Sequence, residues 1–540
     1  MAMKNDTGIE AYKYADRHFR ETCKVVLGGE VGELKEYEKW LLELKEPRGS
    51  AKSSVSGKEL VLACPDYPAG ARFISMEEAP QAKAQPLSIN EIKDIDSLLG
   101  AISGRFAYSG NLVFGNSQFV GESSDVSDSF YVYKSARISG CKSVACSTVF
   151  KDSNYLFGCN VGSKDEFCMR CHQCTFDTRC FEAFLTMNSS DCYYTLDCVG
   201  CHGAMFSFGQ RNAMNTIGNL ALPKDKYLAL RSALLEQMRE RLVADKRLPS
   251  LADVITMASR EKALLPKEAK QAARKYERKE SPAQVQKAWD DTCGIVLGKQ
   301  LGPLSSSKEW LLRHNLRVRM VQSALGSGEL PAASYENLRA LPEGRYVNID
   351  EAQPLARMLA LTLKEAEALT LANAGKSLAH IAYFTPQLHV GTILNAYRCP
   401  ITLWSSDCEE VHGCVFVKKS AYSTFPRDSD HVFGCAYSFG SSFGINCYNS
   451  FAIQRCFEVD SARGCTGCYY CHNIENVHDS IFCSNAKNLR YAVGNVEVGK
   501  EEFQRIKAMV LSRVLSDAEA GRMPMGIYDF MQLPSKKEQM

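Results

Sequence analysis

Net charge is almost absent from this chain of 540 residues: 64 Lys and Arg face 62 Asp and Glu, leaving +2. That balance excludes a bulk field as the driver of nucleic-acid or membrane binding. Long hydrophobic runs are also missing. No stretch of ~18 apolar residues occurs, so a membrane span is not expected. The segment Met1–Glu10 is polar and lacks the apolar core of a secretory signal. The protein is therefore expected in the cytoplasm. A Walker-type phosphate loop and a dinucleotide fingerprint are absent. None of the His residues pairs with Ser or Cys in a known nucleophile signature. The sequence thus assigns no catalytic and no cofactor-binding residue, and the reading leans away from an enzyme.

Cysteine, by contrast, is abundant, at 23 residues and an odd number. In a reducing compartment the default is free thiols, metal ligation or a mixture, with a disulfide framework as the minority reading.

An internal repeat is the strongest signal. Thr22-Cys23, Val26-Leu27-Gly28 and Trp40-Leu41-Leu42 reappear as Thr292-Cys293, Val296-Leu297-Gly298 and Trp310-Leu311-Leu312. Later, Phe157-Gly158-Cys159, Arg179-Cys180-Phe181-Glu182 and Cys192-Tyr193-Tyr194 reappear as Phe433-Gly434-Cys435, Arg455-Cys456-Phe457-Glu458 and Cys468-Tyr469-Tyr470. The order is the same in both halves, which predicts a tandem duplication.

Within each copy a three-residue lattice follows. From Phe114 every third residue reads Ser117, Val120, Ser123, Val126, Ser129, Val132, Ser135, Ile138, Cys141, Val144, Ser147, Phe150, Ser153, Leu156, Cys159, then mostly small residues to Ser207. The second copy keeps it from Cys408 to Cys483, and of the cysteines in these runs only Cys146 falls off it. A helix would drift off a period of three, and a flat strand needs two. A narrow β-solenoid fits: short strands and tight corners turn one residue in three inward. Cysteines recurring at twelve residues predict twelve-residue coils, with eighteen as the runner-up. The inward residues become small toward the end of each run, read here as lack of room.

The fold class expected is α+β. Each copy is a helical or mixed head, a narrow β-solenoid and a capping helix. The heads are placed at 8–105 and 285–385, the solenoids at 106–222 and 386–498, and the caps at 223–244 and 499–518. A helical linker takes 245–284 and a tail 519–540. In the heads, Leu34–Leu44, Ile89–Ile102 and Leu355–Leu371 read as helices. Glu59–Ala63 and Arg72–Met76 read as strands. The capping helices are expected to start near Lys224 and Lys500.

The lattice resembles the twelve-residue β-helix of insect antifreeze proteins in its inward Cys, Ser and Ala. The likeness covers spacing alone, since the flat outward Thr array of those proteins is absent. Ser124-Asp125-Val126-Ser127-Asp128-Ser129 and Phe208-Gly209-Gln210-Arg211-Asn212, leading to Tyr227, resemble a group of uncharacterised microbial proteins with Asn-, Ser- and Cys-rich coils ending in a helix. That resemblance implies a fold and no activity.

Three groups carry possible chemistry. Cys168, Cys171 and Cys174, then Cys198, Cys201 and His202, then Cys465, Cys468, Cys471 and His472, have the spacing of zinc or iron–sulfur ligands. The solenoid demands the same spacing, and the copies disagree at Cys174 and Ser450, so buried core thiols are the leading expectation. No cofactor is expected, with zinc or iron–sulfur as the minority reading. Asp165 and Asp177, twelve apart, offer a paired carboxylate, against a water-facing position at a corner or open edge. Scattered His residues are expected on solvated exteriors. Hexapeptide acyltransferases also use solenoids, but with a four-and-two spacing.

The leading expectation is a non-enzymatic structural or interaction protein, an intramolecular pseudo-dimer that docks a protein partner or self-assembles, in a particle or filament for instance. A cysteine-rich metal-binding or redox protein is the alternative. An enzyme with a site between the copies is third. Nucleic acid is not expected as a partner, the basic stretch Lys267–Lys279 being the one hint of it.

Overall fold

In the computed structural model, residues 6–68, 70–80, 92–261, 265, 268, 281–427, 429–438 and 440–529 are described. The basic stretch 267–279 lies outside them but for position 268. The fold is mixed α+β, dominated by short parallel strands. Among the described residues no helix is long and apolar enough to cross a membrane.

Four-residue strands recur every six positions, as in Phe130–Tyr133, Ala136–Ser139, Lys142–Ala145, Thr148–Lys151 and Asn154–Phe157. Each pairs in parallel with the strand twelve residues on. Val120, Val132, Val144, Leu156 and Cys168 are successive partners on one side. Val126, Ile138, Phe150, Gly162 and Cys174 are successive partners on the other. The twelve strands from Val113–Phe114 to Phe181–Phe184 form one nearly closed path that doubles back at Phe181–Phe184. The register is the twelve-residue one that the cysteine recurrence predicts.

Two backbone facts explain the period of three. First, the residue before each inward position lies in the left-handed region: Tyr131 at φ 59°, Lys134 at 47°, Arg137 at 58°, Cys146 at 51° and Val149 at 61°. This conformation is costly for side chains with a Cβ, most of all for a β-branched one. It returns a ladder bond: Lys134, Cys146 and Asp152 donate N–H to the carbonyls of Gly121, Tyr133 and Ser139, each at 3.0 Å.

Second, the inward residues are of two kinds. Those in the third position of a strand are apolar and buried, as Val132, Ile138, Val144, Phe150 and Leu156 are. Those between strands from Ser123 to Asp177 are Ser, Cys or Asp, and their side chains bond, whereas Val411, Val417, Ile453 and Val477 take such positions in the later run. Ser135 Oγ donates to the Tyr133 carbonyl at 2.9 Å and accepts the Ser147 N–H at 3.1 Å. Ser147 Oγ donates to Ala145 and accepts from Cys159. Cys141 substitutes sulfur in the same role, donating to Ser139 and accepting from Ser153 at 3.4 Å. The corner N–H that the sheet cannot reach is thus taken by the residue stacked twelve positions before it. Small size was the reason expected for these residues. Their acceptor atoms supply a second reason, and it fixes Ser, Cys or Asp rather than Ala.

The chain clusters into two compact units. The first comprises Met1–Glu46, Phe114–Arg278 and Arg319–Leu388. In it the helix Asp6–Leu27 lies across the strands from Gln118–Gly121 to Glu166–Met169. Its Tyr14 meets Phe119 and Tyr131, and its Phe19 meets Phe157. The strand run ends in an antiparallel turn, Met214–Ile217 with Leu220–Ala221. There Asn219 accepts from Phe208 N–H and donates to the Leu359 carbonyl. The helix Lys224–Asp245 follows, its Tyr227 over the bare Cα of Gly203.

The second unit comprises Pro47–Val113, Lys279–Val318 and His389–Met540. Its parallel strands run from Leu388–Val390 and Leu394–Tyr397 to Ser484–Lys487, again at twelve-residue register. They too end in an antiparallel turn, Ala492–Val493 with Val496–Glu497, before the helix Lys500–Glu519. The head segments are therefore shared out: 47–113 belongs with the second strand run and 319–388 with the first.

The helix expected over Leu355–Leu371 is two, Ile349–Met358 and Leu363–Glu367. Thr362 caps the second by accepting the Glu365 N–H, so the backbone is extended between them. Of the helix expected over Ile89–Ile102, residues 89–91 lie outside the described residues; in the rest the helix is Ile95–Ser103, started by Asp94 as its cap.

Candidate functional site

The strand interior brings the candidate cysteines together first. Cys168, Cys171 and Cys174 are successive inward residues of one twelve-residue rung, which Asp177 completes; all four are buried. Each thiol is engaged as a donor. Cys168 Sγ reaches the Glu166 carbonyl at 3.5 Å, Cys171 Sγ that of Met169 at 3.5 Å, and Cys174 Sγ that of Ala183 at 3.1 Å. Burial pushes the Cys174 thiol up to about 12, and Cys168 and Cys171 move in the same direction. Protonated, buried thiols of this kind are unreactive.

Cys198 and Cys201 share a later rung and donate to the carbonyls of Leu196 and Val199 at 3.7 Å. His202 does not join them. It is exposed, and its Nδ1 lies 2.9 Å from Ser190 Oγ. Cys465, Cys468 and Cys471 are interior residues of the second unit. His472 leaves them for the outer side of the strand, as described below. Among the described residues no group of three or more His, Cys, Asp or Glu side chains is arranged to hold a metal ion. All 23 cysteines are buried, Cys146 included, and none is disulfide-bonded.

The carboxylate pair does not face water. Asp165 and Asp177 are buried in the column that continues Ser153 and leads to Ser189. Asp165 Oδ1 accepts the Asp177 N–H at 2.9 Å, and Asp177 Oδ1 accepts the Ser189 N–H at 2.8 Å. Thr186 Oγ1 donates to the second Asp177 oxygen at 2.5 Å. Burial, then the charges of Cys180 and Asp165, hold the Asp177 carboxyl well above its usual range. These groups do in the column what Ser does elsewhere in it, so the corner position was right and its exposure was not.

The second unit also holds a hydrogen-bonded acid–imidazole pair that the spacing of the sequence did not single out. Asp460 and His472 are neighbours in register on strands Gln454–Arg463 and Thr466–Glu475. Both side chains are fully buried, with His472 Nδ1 2.9 Å from Asp460 Oδ2. The backbone N–H of Ser109 donates to His472 Nε2 at 2.8 Å. That bond assigns the ring proton to Nδ1 and uses the Nε2 lone pair. Asp460 also accepts from the Tyr67 hydroxyl at 3.2 Å and from Ser461 Oγ at 3.2 Å. Tyr67 and Tyr108 pack their rings edge-on to the imidazole, 6.1 and 5.2 Å away. Burial, then the charge of Asp460, raises the Tyr67 phenol well above its ordinary value.

A hydrolytic triad needs Nε2 free to take a proton from a nucleophile. Here that atom is occupied by backbone. The pair instead pins the segment Tyr108–Gly110 to the strands, with Asn485 Nδ2 adding a 2.8 Å bond to the Ala107 carbonyl. Sequence spacing could not reveal it, because Tyr67 and Ser109 lie more than 300 positions from their partners. No family model, no curated protein and no solved structure matches the chain.

Proposed function

We propose that the chain is a tandem duplication carrying two narrow β-solenoids of twelve-residue coils, and that it works as a non-enzymatic interaction protein. Its stiff solenoids dock a protein partner or further copies of the chain. The constant register supports the solenoid reading. A clasp that occurs twice supports the duplication. Tyr194 donates to the Pro249 carbonyl and Tyr470 to the Met525 carbonyl, both 55 residues on. Glu182 accepts the Leu251 N–H and Glu458 the Ile527 N–H, both 69 residues on.

The docking role rests on one observation, the terminal strand Leu394–Tyr397. It lies at the end of its sheet order, paired with Ser406–Glu409 on one side, and Leu394 is 57% exposed. A strand edge with an exposed leucine and no proline or lysine to blunt it is a template for another strand. In the first unit Gln118–Gly121 holds the matching end position. Light scattering of the full chain across a concentration series tests the self-assembly form. The expected result is mass that rises with concentration and falls back in Leu394→Lys. A constant monomer mass refutes it.

The alternative, a cysteine-rich metal-binding or redox protein, rests on the placement of Cys168, Cys171, Cys174 and Asp177 in one rung, against their lack of a metal-holding arrangement, and elemental content decides it.

A further inference from the structure

Two cations hold matching places in the two units and have different surroundings. Tyr193 and Tyr469, matched in the sequence repeat, donate their hydroxyls to the carbonyls of Val26 and Val296, matched likewise, at 2.9 and 3.0 Å. A basic side chain of the helix that follows each strand run lies over each ring. Arg231 of Lys224–Asp245 is 5.3 Å from the Tyr193 centroid, and Lys507 of Lys500–Glu519 is 4.3 Å from that of Tyr469.

In the first unit the cation is satisfied. Arg231 Nη2 lies 3.2 Å from Asp191 Oδ1 and donates to the Tyr193 hydroxyl at 2.9 Å. Asp191 directly precedes Cys192-Tyr193-Tyr194, whereas Gly467 directly precedes Cys468-Tyr469-Tyr470. The second unit therefore lacks that acid. Asp479, whose carboxylate lies over the bare Cα of Gly467, bears on Lys507 without forming an ion pair with it. Among the described residues Lys507 Nζ has neither a hydrogen bond nor an ion pair. Burial pulls its ammonium below the usual range, with Asp479 opposing and Arg455 adding to the pull.

The surface beside the cation differs in the same sense. In the first unit Arg239 donates to the carbonyls of Gly28 at 3.0 Å and Leu27 at 3.3 Å. Its counterpart is Leu515, placed after Lys507 as Arg239 is after Arg231. There an open groove of about 800 Å³ runs between the helix Lys500–Glu519 and Leu297, the residue after the helix Ala283–Val296. Leu297, Ala508, Leu511 and Leu515 give it apolar walls, and Lys507 lines it with Gln504 one turn earlier. The other charged residues of its lining, Lys299 and Glu519, pair with each other. One unpaired positive charge thus stands beside apolar walls.

We propose that this groove binds a free long-chain carboxylate, its head on Lys507 and its chain along Leu297, Ala508, Leu511 and Leu515. The head supplies the carboxylate that Asp191 supplies in the first unit. The chain takes the place of the apolar stem of Arg239. The groove lies within the ~300–1,000 Å³ of small-molecule sites. An inorganic anion would leave the leucines wet, and a neutral lipid would leave the lysine unpaired. The matching of positions rests on the proposed duplication, whereas binding is read whether or not the chain self-assembles.

Calorimetric titration of the full chain with dodecanoate, below its micelle concentration, tests this. One saturable site per chain is expected. Dodecanol keeps the chain and lacks the charge, so it is expected to bind about tenfold more weakly, and Lys507→Gln is expected to weaken dodecanoate by about the same factor. Leu515→Arg installs the first unit's residue across the groove and is expected to abolish the site. Circular dichroism checks that both variants stay native, and the dodecanol comparison, made on the wild type, relies on neither. No saturable binding by the wild type overturns the proposal. Equal affinity for dodecanoate and dodecanol overturns it too, as does full affinity in either variant. Retention on anionic phospholipid vesicles with no uptake of monomeric dodecanoate overturns it in favour of a membrane surface.

Discussion

Replacing Ser135 by Ala tests the corner columns at one atom. The hydroxyl makes two bonds, donating to the Tyr133 carbonyl and accepting the Ser147 N–H. Both Ser135 and Ser147 are fully buried. Alanine leaves that N–H without an acceptor, which costs roughly 1–3 kcal/mol in desolvation, and forfeits the donor bond, worth about 1 kcal/mol. Ser135→Ala is therefore expected to destabilise the chain by about 2–4 kcal/mol, although it removes a single oxygen. Ser135→Cys keeps a donor and an acceptor, as Cys141 does at the next corner, and is expected to cost about 1 kcal/mol or less. Urea unfolding followed by circular dichroism reads both as midpoint shifts at unchanged slope. If small size were the only requirement, alanine would equal or outperform cysteine. A loss below about 0.5 kcal/mol for Ser135→Ala, the level of an ordinary surface change, refutes the ladder.

Three further outcomes are expected. Burial lifts the Glu458 carboxyl to about 7, above its unfolded value near 4.5. The native state then binds more protons between these values, so this group's contribution to stability declines as pH rises from about 4.5 to about 7 and is flat above. Unfolding midpoints measured from pH 5 to pH 8 are expected to fall in the wild type and to fall less in Glu458→Gln. Equal slopes would contradict the assignment. His472→Ala is expected to cost about 2–4 kcal/mol in urea unfolding, because it strips the buried Asp460 and the Ser109 N–H of a partner; a change under 0.5 kcal/mol would contradict the strut. Elemental analysis of chain purified without added metal is expected to give no stoichiometric zinc or iron, and the same for the variant with Cys168, Cys171 and Cys174 changed to Ser. One metal per chain, lost in that variant, would establish the metal reading.

Much of the strand architecture was legible because one inward residue in three is a strict demand. Val132, Ser135 and Ile138 announce it, and stacked cysteines such as Cys168 and Cys180 announce the coil length. The left-handed residue in each triplet was not legible. Its side chain points outward, so Val149, Cys146 and Arg137 share a conformation and no chemical type. The purpose of the corner residues was half legible: Ser, Cys and Asp are all small, and only the bonded geometry shows that they are all acceptors. This is why Asp165 and Asp177 read as exposed when they are column members. Histidines on the outer side read as solvated, yet His172 and His472 are fully buried, the latter under Tyr67, Tyr108 and Ser109. The sharing of head segments between the two units lies at the same long range, where periodicity carries no signal.

Amide hydrogen exchange at the corners is the most direct test of the central claim, that Ser, Cys and Asp side chains stacked twelve residues apart complete the hydrogen bonding of the turns they occupy. The amides of Ser147, Cys159, Ser189 and Cys201 lie outside the strands and bond to the side chains of Ser135, Ser147, Asp177 and Ser189. Their protection is expected to match that of strand amides such as Val144. Exchange of these four at the rate of open loops, with the strand amides still protected, would contradict it.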